Sequence, residues 1–325
     1  MNRQRRILTQ ALIGAGVLPA PWAFAQYGNP AKPMRVVVPY AAGGAVDSMA
    51  RLVVERVRPR WEQGAVVDNR GGANSIIGTE FVLAQPKDGS TLLVTNSITF
   101  IVPYVSDRPG FQPEKDLVAV AEISVDHLVV YVRADSSQTT LEQVVDQERR
   151  EPKSMNFGSY GTGTNGHLLL VALNEQFSMN MMHVPYKTNA QLANAVLAGE
   201  VQVGVAPYAF IKPFFDAGRL KPIAAFGEAR IAALPDTPTL KESGVNGFEF
   251  TGWTGVFAAR GTPQPILERL ADDFRAGLST PEFREALTSR GTDPGQRLLD
   301  DFERIVQRDA RLLGEKNVAA GIRLG

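Results

Sequence analysis

Residues 34–57 read MRVVVPYAAGGAVDSMARLVVERV. Met34–Val38 is a continuous apolar run of strand length, and past the Gly43-Gly44 turn Val46, Met49, Ala50, Val53, Val54 and Val57 recur at i, i+3, i+4, i+7, i+8 and i+11. This is a strand, a glycine turn and an amphipathic helix. The alternation returns along the chain, with Thr91–Thr95, Leu128–Val132, Met155–Gly158, Met181–Val184, Val201–Ala206 and Ile223–Phe226 as strands and helical periods over His167–Phe177 and Ala190–Leu197. Repeated βα units predict an α/β fold of open, largely parallel sheets flanked by helices. The C-terminal part reads as helical. Thr262 before Pro263 and Thr280 before Pro281 mark helix starts, Gly291 closes the second helix, and Leu298, Phe302, Ile305, Val306, Leu312 and Leu313 form the stripe of a last one.

Two β-rich runs, His127–Val132 and Phe248–Ala258, read as passages between domains. Two crossings make the first domain discontinuous. The expected division is lobe 1 from residues 26–130 plus 253–325 and lobe 2 from 131–252, with a ligand cleft between them. The first residues, MNRQRRILTQALIGAGVLPAPWAFAQ, are an address. Arg3, Arg5 and Arg6 precede an apolar stretch, Ile7–Leu18, and Ala23-Phe24-Ala25 supplies an A-x-A cleavage site, so residues 1–25 read as a secretory signal peptide. A membrane span needs about 20 apolar residues, and this stretch is broken by Gln10, Gly14, Gly16 and Pro19.

Composition narrows the function classes. The 325 residues suit about two domains with real cores, and 44% hydrophobic with 21% charged residues fits a soluble globular chain. Lys+Arg and Asp+Glu are both 34, and cleavage removes three Arg and no acid, leaving 31 − 34 = −3. That balance argues against nucleic-acid binding, which draws on a basic face. Without cysteine there is no disulfide, thiolate nucleophile or Cys-ligated zinc. No metal and no cofactor is expected. The three histidines, His127, His167 and His183, lack metal-ligand spacing, and neither a G-x-S-x-G elbow nor an H-E-x-x-H helix is present, so no catalytic residue is assigned.

The chemistry gathers at two glycine-rich turns between a strand and a helix: Pro39-Tyr40-Ala41-Ala42-Gly43-Gly44-Ala45-Val46-Asp47, and Gly158-Ser159-Tyr160-Gly161-Thr162-Gly163-Thr164-Asn165-Gly166. A helix N-terminus offers unpaired N–H groups and the positive end of its dipole, and glycine lets an anion approach them. Gly161-x-Gly163-x-x-Gly166 also fits a dinucleotide fingerprint, but the acid expected about 20 residues on is missing from Met181–Pro185. His167 opens the second helix beside its turn. It reads first as a hydrogen-bonded structural histidine and second as a ligand neighbour. Asp47, in the first helical turn, reads as a holder of its own loop's amides, His183 as core-adjacent and Trp253 as a packing anchor at a hinge. Four or five charge-assisted hydrogen bonds at ~1.5–3 kcal/mol each, less several kcal/mol for association, leave about −8 kcal/mol, a micromolar affinity.

At these residues the chain resembles the solute receptors of tripartite tricarboxylate transporters, the Bug family of periplasmic binding proteins. The likeness spans essentially the whole mature chain, through PYAAGGAVDSMAR (39–51), DNRGGANSIIGTEFVLAQPKDGSTLL (68–93), NFGSYGTGTNGHL (156–168), HVPYK (183–187), FFDAGRLKPIA (214–224), ALPDTPTLKESGV (233–245) and GWTGVFAARGTPQPILERL (252–270). The resemblance implies a two-lobed clamshell whose loops meet a ligand carboxylate, partly through ordered water. It puts Tyr40, Ala41, Ala42, Gly43, Gly44 and Asp47 on one jaw, with Ser97 beside them, and Ser159, Gly161, Thr162, Gly163 and Thr164 on the other, where His167 adjoins. It further implies a periplasmic, monomeric protein that hands a di- or tricarboxylate or an aromatic acid to membrane permease subunits, with no membrane insertion of the mature chain. A sensor or scavenger of the same fold is the alternative. The chain departs from the family pattern at Ala45-Val46, where Gly-Thr is usual, at Thr188, where glycine follows HVPYK, and at Gln202 and Ala206, where two acids are usual. Losing those acids points away from an amine-bearing ligand.

Overall fold

The computed structural model describes residues 32–106 and 110–321, so the signal-peptide reading of residues 1–25 lies outside the described residues. In chain order the described elements are β1 (Met34–Val38), α1 (Ala45–Val57), β2 (Ala65–Asn69), α2 (Ile76–Leu83), β3 (Thr91–Asn96), α3 (Ile98–Val105), α4 (Pro113–Asp116), β4 (Leu117–Asp126) and β5 (Leu128–Arg133). Then come α5 (Leu141–Arg150), β6 (Asn156–Ser159), α6 (Asn165–Phe177), β7 (Met182–Pro185), α7 (Asn189–Ala198), β8 (Val203–Pro207), α8 (Tyr208–Asp216) and β9 (Leu220–Ala225). The chain ends with β10 (Gly252–Ala259), α9 (Gln264–Leu278), α10 (Pro281–Thr288), β11 (Asp293–Pro294) and α11 (Leu299–Ala319).

The strands form two sheets, one of six strands in the order β11-β4-β10-β3-β1-β2 and one of five in the order β7-β6-β8-β5-β9. Val36, Val37 and Val38 are fully buried because β1 is covered on both faces, the condition under which a strand reads as an unbroken apolar run. Val36 and Val38 pack with α1, α9 and α10; Val37 packs with α2, α3 and α11. Burying each such side chain contributes about 1.5–3 kcal/mol.

Strand polarity is mixed rather than largely parallel. β1 runs parallel to β2 and β3, and β6 to β7 and β8, as their helical crossovers require. The strands that carry the chain between the sheets run the other way: β10 is antiparallel to β3 and β4, and β5 to β8 and β9. Periodicity reports which faces are buried and says nothing of direction. The run Phe248–Ala258 resolves into two parts. Phe248 and Phe250 pack with Phe226 against the five-stranded sheet, whereas Gly252–Ala259 is the strand between β3 and β4. Trp253 is an anchor there, edge-on to Phe100 at 5.5 Å and to Phe302 at 5.3 Å.

Thr280 caps α10 by accepting from Phe283 N–H, and Gly291 turns with φ +79° after that helix. Thr262 does not cap α9: its hydroxyl donates to Ala259 O at 2.8 Å, and Pro263 stands at the N-cap. The sheets are tied by more than the two strand passages. Ile101 and Val105 of α3 and Leu313 of α11 belong to the same buried cluster as β5, β6 and α6 of the five-stranded sheet. No described helix is long and apolar enough to cross a membrane.

Candidate functional site

The register locates a common edge. β4 ends at Asp126 and β5 begins at Leu128, so His127 alone joins the sheets at this crossing. On one side Asp126 pairs with Gly252, and Thr254 pairs with both Ser124 and Asn96, which sets the C-terminal end of β3 beside the crossing. On the other side Leu128 pairs with Pro207, Tyr208 N–H donates to His127 O at 2.8 Å, and Ser159 pairs with Val205. The turn after β1 and the turn after β6 therefore open on the two edges that His127 connects, the carboxyl ends where such sheets take ligands.

In the first turn Ala41–Ala45 are exposed while Val46 and Asp47 are buried. Gly43 takes φ +80°, which a side chain rarely adopts. Its N–H donates to Asp47 Oδ2 at 2.8 Å, while Asn69 Nδ2 donates to Oδ1 at 3.0 Å and Arg51 Nε to Oδ2 at 3.0 Å. Burial opposes the Asp47 charge, but these three donors outweigh it and hold the carboxyl below its ordinary range. Asp47 thus binds its own loop, as its place in the first helical turn suggests. The first helical bond of α1 is Ser48 N–H to Gly44 O, so Ala45, Val46 and Asp47 have amides without a carbonyl in the helix.

Tyr40 stands behind that turn. Its hydroxyl donates to Asn96 Oδ1 at 2.8 Å and lies 3.3 Å from Thr99 Oγ1 in a cluster with Thr95 and Ser75; burial pushes its pKa up. Ser97 is half-buried and precedes α3, and its side chain makes no helix-capping bond. A segment that sequence reasoning did not single out closes this side. Ala73, Asn74 and Ser75 all have left-handed φ, at +46°, +52° and +79°, a conformation that costs about 1–2 kcal/mol per residue. Thr79 Oγ1 donates to Ser75 O and Thr99 Oγ1 to Ser75 Oγ, each at 2.9 Å. A Cβ at Gly71 would sit 3.2 Å from Ala41 N, so this segment is pressed onto the first turn.

The second turn is held by its own side chains as well. Ser159, fully buried, donates to Gly161 O at 2.9 Å and accepts from Gly161 N–H at 3.2 Å; Thr164 Oγ1 donates to Gly161 O at 2.7 Å. Gly163, at φ +76°, donates its N–H to His167 Nδ1 at 3.2 Å, which leaves the imidazole proton on Nε2. Burial lowers the pKa of His167. Thr162 is exposed at the tip. The amides of Gly43, Gly161 and Gly163 are therefore engaged within the protein. What these turns leave to offer is the pair of helix N-termini, with the exposed Thr162 and the half-buried Ser97 beside them.

His183, which its strand position suggested to be core-adjacent, belongs to this turn. Its Nε2 is hydrogen-bonded to Ser159 Oγ at 2.7 Å, and its ring stacks on His167 with centroids 4.0 Å apart and planes 7° apart. Burial, then the neighbouring His167, depresses its pKa to about 4. The parallel pairing of β6 with β7 creates this contact across 24 residues, and no local spacing announces it. The two departures on β8 separate here. Gln202 accepts from Asn156 N–H and donates to Gly199 O at the strand end opposite the crossing, whereas Ala206 is buried next to it. No group of three side chains suited to a metal ion occurs among the described residues.

The profile of the tripartite tricarboxylate transporter family receptors matches residues 49–317. A UPF0065 protein from the tcbD-tcbE intergenic region of Pseudomonas sp. (strain P51) is 31% identical over 296 residues, covering 90% of this chain and 88% of that one. Among solved structures, Rpa4515 of R. palustris with adipate superposes with a TM-score of 0.74 at 27% identity, covering 90% of this chain and 99% of that one. MatC from Rhodopseudomonas palustris with bound malate does so with a TM-score of 0.72 at 25% identity, covering 89% and 99%. Two mixed α/β sheets joined at the His127 crossing, and a family match over most of the length, place the chain in the tripartite tricarboxylate transporter receptor family.

Proposed function

We propose that the protein is a periplasmic receptor that captures a small carboxylate between its two jaws and delivers it to the membrane permease subunits of its transporter. The observation that carries this reading is the placement of two helix N-termini, those of α1 and α6, on the edges joined at His127. The first-turn amides of α1 and those of Gly166 and His167 in α6 precede the first helical bonds, while Asn165 N–H is taken by the Tyr160 hydroxyl, and each helix sets the positive end of its dipole there, the chemistry that holds an anion. The jaws are Tyr40, Ala41, Ala42, Gly43, Gly44, Asp47 and Ser97 against Ser159, Gly161, Thr162, Gly163, Thr164 and His167. With the glycine amides engaged by Asp47, Ser159 and His167, these turns act by shaping and rigidifying the mouth. The two sheets are the two lobes, the expected divisions at 130/131 and 252/253 falling within a few residues of the His127 crossing and of the start of β10 at Gly252, and ligand binding shifts the population toward their closed arrangement. Relatives of this fold hold adipate and malate, which supports a carboxylate cargo.

The receptor is a monomer that binds without turnover. Ser159 and His183 lie within hydrogen-bond reach, but the serine is fully buried and, among the described residues, no carboxylate hydrogen-bonds either imidazole of the His167–His183 pair. Such a pair lacks the access and the orienting acid of an activated nucleophile. Calorimetry on refolded, ligand-stripped residues 26–325 against mono-, di- and tricarboxylates and aromatic acids tests the reading. Micromolar binding that Gly163→Asp abolishes is the expected result. Unchanged affinity in that variant refutes the jaw assignment, and no binding to any acid refutes the receptor reading.

A further inference from the structure

Asp126 is the last residue of β4, next to the His127 crossing. Its neighbours differ from those of the other acids along this edge. Asp47 is bonded to Arg51; Glu122, two turns of the pleat earlier on β4, is bonded to Arg297 Nη1 at 2.8 Å and lies near the amides of Gln296 and Arg297; Asp293 faces His127 Nε2 at 2.8 Å. Asp126 enters none of the ion pairs among the described residues. Among the described residues it accepts only from Thr254 Oγ1 at 3.3 Å and Ser124 Oγ at 3.4 Å, both long for hydroxyl donors. The side chain is neither fully buried nor exposed, and its charge is felt by Tyr160 of the second turn. A half-buried carboxyl with two weak bonds, and with the imidazole of the adjoining His127 rather than a lysine or arginine as its favourable charge neighbour, retains hydrogen-bonding capacity beside the crossing and close to Tyr160 of the second turn.

We propose that Asp126 reads a hydroxyl group on the ligand, so that the cleft selects a hydroxy-carboxylate over the same acid without the hydroxyl. A hydroxyl suits this position because it both donates and accepts. It can give its proton to the carboxylate or take one from the acid form, and burial pushes the Asp126 pKa up toward the latter. A second ligand carboxylate at the same point would meet like charge, and an apolar methylene would leave Asp126 with nothing but its two long bonds to Thr254 and Ser124. A site built around a ligand hydroxyl rejects the analogue lacking it because its own polar group is then stranded.

This inference rests on the carboxylate-receptor reading, and malate and succinate, which differ by one hydroxyl, separate the two in calorimetry with the ligand-stripped mature protein. One hydrogen bond to a charged or buried carboxyl corresponds to roughly tenfold in affinity or more. The expected result is malate bound at least about tenfold more tightly than succinate by the wild type, a preference erased in Asp126→Leu and Asp126→Ala with succinate affinity retained. Asp126→Asn keeps the preference, since an amide also donates and accepts. Equal affinity for the two acids in the wild type overturns the assignment without touching the receptor reading, as does a preference that survives in either apolar variant. Binding of neither acid, with another carboxylate bound, also overturns it. Failure of every carboxylate removes both.

Discussion

Replacing Asp47 by alanine removes three hydrogen bonds at once, from Gly43 N–H at 2.8 Å, Asn69 Nδ2 at 3.0 Å and Arg51 Nε at 3.0 Å. A hydrogen bond to a charged group contributes about 1.5–3 kcal/mol. Gly43 is exposed and Asn69 half-exposed, so water replaces part of each loss and the lower figure applies to both. The Arg51 side chain is 54% exposed, which limits that ion pair to a few tenths of a kcal/mol. The favourable placement of a carboxylate in the first turn of α1 adds about 0.5 kcal/mol. The sum is about 3–4 kcal/mol, on the order of 6 °C in Tm for a chain of this size. Thermal unfolding of the wild type, Asp47→Asn and Asp47→Ala at several pH values measures it. The asparagine, which keeps one acceptor and loses the charge, falls between the others. Because the folded pKa lies below the unfolded value of about 3.9, the stabilisation is complete above about pH 4 and lost as the pH falls through the folded value. The gap between wild type and Asp47→Ala is therefore constant from pH 8 to 5 and closes below 4. An unchanged Tm in Asp47→Ala at pH 7, or a gap that persists undiminished to the lowest pH at which the protein stays folded, refutes the reasoning.

His183 produces a slope in a different window. Its folded pKa, about 4, is below the unfolded value of about 6.5, so its contribution is complete above pH 6.5 and erodes between 6.5 and 4 at up to about 1.4 kcal/mol per pH unit. Urea titrations across that range show the slope in the wild type and a smaller one, from His167 alone, in His183→Asn; a slope of equal size in both excludes His183 as a source. Tyr131 is buried with its hydroxyl unpartnered among the described residues and its pKa pushed up by that burial, so Tyr131→Phe raises the unfolding free energy by about 1 kcal/mol and with it the urea midpoint, and a lower midpoint disproves the claim. Thr280→Ala removes the bond from Phe283 N–H that caps α10 and lowers stability by about 1 kcal/mol, whereas Thr262→Ala, with no cap to lose, costs the single bond to Ala259 O. Equal losses in protease-susceptibility and unfolding assays of α10 for both variants contradict that distinction.

What the sequence shows and hides follows from which forces leave a local trace. β1 is legible because burial on both faces demands an unbroken apolar run, and α1 because a one-sided contact imposes its stripe. β2, AVVDN at the sheet edge, is half-exposed with Val66 exposed, and so has no such run to read. The role of Asp47 was readable from the helix dipole, since donor and acceptor are four residues apart. The Ser159–His183 bond and the His167 stack were not, because parallel pairing of β6 and β7 makes them. The left-handed turn at Ala73–Ser75 left no mark, as no glycine or proline occupies its three positions. The missing acid at Gln202 carries no information about the ligand, because that side chain bonds to Asn156 N–H and Gly199 O away from the crossing.

The position of β10 between β3 and β4 imposes an order on how the protein is made. Residues 128–225 supply every strand of the five-stranded sheet and can complete it while the chain is still emerging. The six-stranded sheet cannot close until residues 252–259 arrive, more than 120 residues after β4. Until then β3 and β4 carry unpaired edges, the surfaces that recruit other chains into aggregates. A nascent chain of this protein is thus most exposed after its second sheet has formed, and a product truncated ahead of Gly252 keeps both edges open for its lifetime.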